Sequence, residues 1–140
     1  MTYDELKNIT SSLLIGDVAL PQDEDVLRGL VKYALTTVAT QANSMRLMTL
    51  DETRPILRLA GGDYYIRVPD TPEDGVDLVD IDDELVFAVA RYIASYISKG
   101  KGGIHVNAAD RIIKDYNAKV YEITDEYTYK DADTGAIHGY

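Results

Sequence analysis

The sequence predicts a mainly α protein: a small bundle of about four helices with a β-hairpin insertion and an extended C-terminal tail. Three observations carry this. Long segments place apolar residues at helical spacing, most clearly over 24–42, 83–98 and 107–123. One stretch, "RPILRLAGGDYYIRVP", instead shows two short apolar runs around Gly61-Gly62, the turn chemistry of a two-residue hairpin. The chain has 140 residues, 46% of them hydrophobic and 27% charged, which suits one domain with a single core.

Residues 2–15 form a short amphipathic segment in which Leu6, Ile9, Leu13 and Leu14 share a face, with Thr2 or Asp4 available as a cap. Gly16 stops it. Asp23 then opens a long helix bearing Val26, Leu27, Leu30, Val31, Ala34, Leu35 and Val38. After the hairpin around 54–69, closed by Pro69 and Pro72, a helix over 83–98 carries Leu85, Val89, Tyr92, Ile93 and Tyr96, widened by Val86, Ala90 and Ile97. A helix that apolar nearly all round must be covered on most sides. "KGKGGIH" reads as a flexible connector, and Asn107 as the cap of a last helix with Ala109, Ile112, Ile113, Tyr116, Val120 and Ile123 on its inner face. Residues 1–123 thus make one helical domain, and 124–140 a tail with too little apolar content for a core of its own.

The most unusual stretch is "DTPEDGVDLVDIDDELV": eight carboxylates between Asp70 and Glu84 and no basic residue. As a calcium loop begun at Asp70 it fails, because Pro72 takes the third position and Ile81 the place of the bidentate Glu. As a helix entrance it succeeds. Asp80 or Asp82 can accept from the free N–H groups of the next helix, and Asp83 and Glu84 sit in the first turn, where the dipole favours negative charge. Asp70, Glu73, Asp74 and Asp77 remain as a solvated or partner-facing loop.

Other chemistry finds no support. There is no Cys, which excludes disulfides, thiolate catalysis and Cys-based zinc sites. "SKGKGG" lacks the first Gly of a phosphate loop and has Gly102 where Ser or Thr must follow Lys101. His105 and His138 lie far apart and read as exposed loop residues. No His is placed to activate a Ser or Thr nucleophile. No metal or cofactor is expected, and no enzyme. The longest apolar stretch, Leu85 to Ile97, is too short for a bilayer, and the first ten residues lack a secretory pattern. A net charge of −10 argues against ordinary duplex binding, which rests on Lys and Arg neutralising phosphates.

The eleven tyrosines point elsewhere. Tyr is favoured where a partner buries a surface whose edge stays polar. Tyr127, Tyr129 and Tyr140 lie in the tail and are expected to touch another chain, the alternative being a tail packed on its own domain.

Residues 54–123 resemble the head-to-tail adaptor (head-completion or connector) proteins of tailed bacteriophages. The resemblance lies in "RLAGGDYYIRVP", then "DLVDIDDELVFAVARYIASYIS", then "AADRIIKDYNAKVYEI". It implies a structural virion protein made in the host cytoplasm and placed at the head–tail junction. Such a protein forms a homo-oligomeric ring (a dodecamer by family resemblance) that joins the portal protein to neck or tail proteins. Genomic DNA passes through it without specific binding, and no membrane or cofactor is involved. Charge patterning agrees with a head-to-tail contact. Segment 70–84 is acidic, whereas 85–119 holds six basic residues against two acidic ones. Asp74 and Asp77 either line the DNA passage or meet Lys99, Lys101 or Arg111 of the adjacent subunit. The competing reading is a small regulatory or binding module, phage or bacterial, acting as a monomer or dimer.

Overall fold

The computed structural model describes residues 1–16, 18–42, 55–60, 64–98, 100 and 102–134, and for 58–60, 64–66 and 120–134 the backbone alone. Helices α1 (Tyr3–Leu13) and α2 (Glu24–Gln41) precede strands β1 (Ile56–Ala60) and β2 (Tyr64–Arg67), and α3 (Asp83–Ile97) and α4 (Gly102–Thr134) follow. Among the described residues the protein is a mainly helical bundle with one short strand pair.

The starts of α1 and α2 have local causes. Thr2 and Glu5 form a reciprocal capping box on α1, and the Asp23 carboxylate accepts from the Asp25 N–H, 2.9 Å away, at the start of α2. Gly100, at φ +76°, provides the left-handed turn between α3 and α4 that residues with a Cβ adopt at a cost. The strands pair antiparallel, Arg58 opposite Ile66 and Ala60 opposite Tyr64. Their register shifts between Ile56 and Arg58, and Leu57 at that irregularity packs against the core. The expected Gly61-Gly62 turn lies outside the described residues.

α3 is the hub. It packs on α1, α2 and α4, and Leu85, Val86, Ala88, Val89, Ala90 and Ile93 are fully or almost fully buried. α1 adds Tyr3 and Leu6, α2 adds Val31, Ala34, Leu35 and Val38, and α4 adds Ala109, Ile113 and Tyr116. Val79 and Ile81, in the chain leading to α3, complete the same cluster. Polar side chains tie the helices together around it. The Gln41 amide donates to the Tyr92 hydroxyl at 3.2 Å, which donates to Asp110 Oδ1 at 2.7 Å, linking α2, α3 and α4. Asn117 Nδ2 donates to the Gln41 carbonyl at 3.1 Å, satisfying one of the free carbonyls at the end of α2.

Three expectations about the C-terminal half are corrected. The "KGKGGIH" connector is helical from Gly102 onward, so Asn107 lies inside α4 and does not cap it. His105 is buried, because it stands one helical turn before Ala109 and extends the inner face of α4 backwards. The segment expected to be extended, 124–140, is helical as far as Thr134, and 135–140 lie outside the described residues. Contacts between Arg91 and His105, Tyr92 and Asp110, and Glu84 and Lys119 set α4 antiparallel to α3. Lys119 is therefore level with the start of α3, and the backbone of 120–134 continues beyond it for about 22 Å at 1.5 Å per residue.

Tyr3 joins α1 to α2: its ring is fully buried, its hydroxyl donates to Glu24 Oε1 at 3.1 Å, and Lys7 Nζ sits 4.5 Å from the ring centre. Burial first, then the Glu24 carboxylate, push its pKa from 10.0 to about 12. The folded state thus holds this proton more tightly than the unfolded state. The contribution to stability is complete below about pH 10 and is lost as the pH rises towards 12. Chemical denaturation across pH 9–12 should show a steeper alkaline loss of stability for the wild type than for Tyr3→Phe, which has no proton to release. Equal slopes would place the Tyr3 hydroxyl in water.

Candidate functional site

The acidic stretch and the bundle end it touches are where the unusual sequence meets the fold. α1 begins with four N–H groups that no helical carbonyl can accept. Two are met within the capping box: Thr2 N–H faces Glu5 Oε1 at 3.4 Å and Glu5 N–H faces Thr2 Oγ1 at 3.2 Å. The other two are met by the acidic stretch. Tyr3 N–H donates to the Asp77 carbonyl at 2.8 Å and Asp4 N–H to the Gly75 carbonyl at 2.9 Å. Val79 N–H returns the pairing to the Met1 carbonyl at 2.8 Å, alongside an antiparallel bridge between Thr2 and Leu78. A Cβ on Gly75 would lie 2.3 Å from an Asp4 carboxylate oxygen, so Gly permits this close approach.

The carboxylates are mostly consumed in holding that geometry. Asp77 Oδ2 accepts from the backbone N–H groups of Glu73 (3.0 Å) and Asp74 (2.9 Å), and these bonds keep its pKa below the ordinary carboxylate value. Asp80 receives both guanidinium nitrogens of Arg67, NH2 to Oδ1 at 2.8 Å, plus the Asp70 N–H at 2.8 Å. This fork-to-fork pair fastens β2 to the segment entering α3. Asp82 accepts from the Tyr116 hydroxyl, Glu84 meets Lys119 at 3.1 Å, Glu73 meets Arg28 at 3.5 Å, and Asp83 Oδ1 lies 2.6 Å from the Met1 nitrogen.

One expectation about the entrance to α3 is thereby corrected. Asp82 occupies the cap position, yet its side chain makes no capping hydrogen bond. The Asp82 carboxylate accepts from the Tyr116 hydroxyl instead, and Asp80 is engaged by Arg67.

Of the residues expected to meet a partner, Asp74 and Asp77 sit together on this loop. Asp77 is a loop-shaping residue. The Asp74 carboxylate has no hydrogen-bond or ion-pair partner among the described residues. Tyr127 and Tyr129 fall on the α4 backbone with side chains outside the description, and Lys99, Lys101 and Tyr140 lie outside the described residues. The structure therefore brings together one pair from that set.

Sequence reasoning missed two features. Tyr3, Tyr92 and Tyr116 are buried with their hydroxyls donating to Glu24, Asp110 and Asp82 on other elements. Their positions on inner helical faces were readable; the cross-element carboxylates were not. The second feature is a groove of about 580 Å³ between α1, α3 and α4, with Ile9, Leu13, Phe87 and Ile112 as its apolar lining. Glu84 with Lys119, Arg91 and Asp115 form its polar rim. Arg91 NH1 lies 3.2 Å from His105 Nδ1; burial first, and then the Arg91 charge, lower the His105 pKa.

Among the described residues, no three His, Cys, Asp or Glu side chains converge as a metal site. No helix among them is long and apolar enough to cross a membrane. No family model, curated protein or solved structure matches the chain.

The Arg67–Asp80 pair, each side chain 16% exposed, carries a direct prediction. Arg67→Met removes the two-pronged pair to a partly buried carboxylate and should cost about 3 kcal/mol in urea denaturation. Arg67→Met combined with Asp80→Leu should recover more than half of that loss. A single variant within ~0.5 kcal/mol of wild type would show that the strand pair is not fastened here.

Proposed function

We propose that the protein is a non-enzymatic structural component of a phage virion, a ring-forming head-to-tail adaptor that joins a portal to neck or tail proteins. The observation that carries this reading is the order and packing of elements over 56–134. A strand pair is fastened to an acidic entry, which leads into the hub helix α3 and then into an α4 longer than its partner. The adaptor resemblance implies the same order of a strand pair, an acidic helix start, a buried helix and a further helix, and this order supports the reading. The stretch of α4 beyond Lys119 gives a subunit a helical arm outside the α3 hub, suited to contact with a neighbouring chain. The chain's net charge of −10 suits a passage along which DNA slides without adhering.

Light-scattering mass measurement of the purified chain, alone and mixed with the portal protein of the same virus, tests the reading. The expected result is a discrete ring-sized mass, or one that forms on the portal. A monomer or dimer under both conditions would favour the regulatory or binding module.

A further inference from the structure

Val76 and Leu78 are among the most exposed large apolar residues described, at 80% and 74%, and both flank Asp77 on the acidic loop. The backbone that carries them is held by hydrogen bonds on both sides. The intervening Asp77 carbonyl accepts from Tyr3 N–H at 2.8 Å, its N–H donates to the Asp74 carbonyl at 2.9 Å, and its carboxylate binds two further N–H groups. Leu78 itself bridges to Thr2. The backbone that carries the two side chains is therefore fixed before anything covers them, which lowers the entropy cost of docking them.

The same chain offers an apolar recess elsewhere. The groove between α1, α3 and α4 has an apolar lining with Phe87 44% exposed, and Val76 and Leu78 are too exposed to be seated in it within one molecule. Its rim is polar in a directional way. Glu84 and Lys119 pair with each other, leaving Arg91 on the α3 wall, with His105 as its contact, and Asp115 on the α4 wall. Among the described residues neither Arg91 nor Asp115 has an ion pair. Acids flank the Val76–Leu78 segment on both sides, but Asp80 on its C-terminal side is engaged by Arg67, so the Asp74 side of an entering copy would turn towards Arg91 and away from Asp115.

We propose that the Val76–Leu78 loop of one copy docks in the α1–α3–α4 groove of a second copy, with Asp74 facing Arg91. Among the described residues the Asp74 carboxylate has no hydrogen-bond or ion-pair partner and Arg91 has no carboxylate, so the pairing joins an anion and a cation that are complementary. Loop and groove are different surfaces of one subunit. The contact is therefore heterologous and propagates into a ring or a filament, not a two-fold dimer. It deepens the adaptor reading by naming a subunit–subunit contact, and it rests on that reading only for closure of the ring.

Cross-linking tests it, helped by the absence of native Cys. The double variant Val76→Cys with Phe87→Cys should give, under mild oxidation, a ladder of disulfide-linked species beyond the dimer. Each single variant should remain uncross-linked. The pair Val76→Asp with Leu78→Asp, on exposed positions that leave the fold intact by circular dichroism, should weaken self-association about tenfold or more by removing both apolar anchors. No excess cross-linking of the double variant over the singles overturns the contact. So does efficient dimerisation by Val76→Cys alone, which means that like faces meet. A ring-sized mass without the cross-link leaves the adaptor reading standing and refutes this interface. A ladder from a chain that does not engage a portal supports the interface and refutes the adaptor reading.

Discussion

α3 is apolar on nearly every side, and covering it is the constraint on which the rest of the structure depends. A fifteen-residue helix with Leu85, Val86, Val89 and Ile93 on different faces cannot rest on a single neighbour. It takes α1, α2 and α4 as three separate walls. Once they are in place, each wall has helix ends to satisfy. The acidic stretch meets those of α1, Asn117 meets one at the end of α2, and the Gly100 turn returns α4 against α3.

The concentration of carboxylates before α3 then has a structural account. Acids placed close together repel one another unless each finds a donor. Here Asp77 takes backbone N–H groups, Asp80 a guanidinium, Asp82 a tyrosine hydroxyl, and Glu84 an ammonium. The stretch works as a fastener between α1, β2, α3 and α4. It has neither the spacing of a calcium loop nor the character of a uniformly bare charged surface. Tyrosine is the complementary material: Tyr3, Tyr92 and Tyr116 bury their rings and present their hydroxyls to carboxylates on neighbouring elements.

Periodicity made the helices legible. The expected spans 24–42 and 83–98 differ from α2 and α3 by single residues at their ends, because apolar spacing and acidic starts agree there. The pairing of β1 with β2 was legible from two short apolar runs and the closing prolines, while the turn expected between them lies outside the described residues. The start of α4 was not. Two consecutive glycines and a histidine oppose helix by propensity, and burial of His105 beside Arg91 overrides them. The capping role of Asp82 was also misread, since sequence spacing identifies a cap position but not the competing donor, Tyr116, thirty-four residues away. The groove was out of reach for a similar reason: Ile9, Phe87 and Ile112 meet only in three dimensions.

The central claim is that the acidic stretch is a structural fastener whose backbone carbonyls complete α1. Native-state hydrogen exchange at the Tyr3 and Asp4 amides tests it most directly, because their acceptors are the Asp77 and Gly75 carbonyls. The account predicts that both amides are protected to nearly the level of the α3 core amides, opening only when the bundle opens. Exchange at the rate of free amides while α3 stays protected would contradict it.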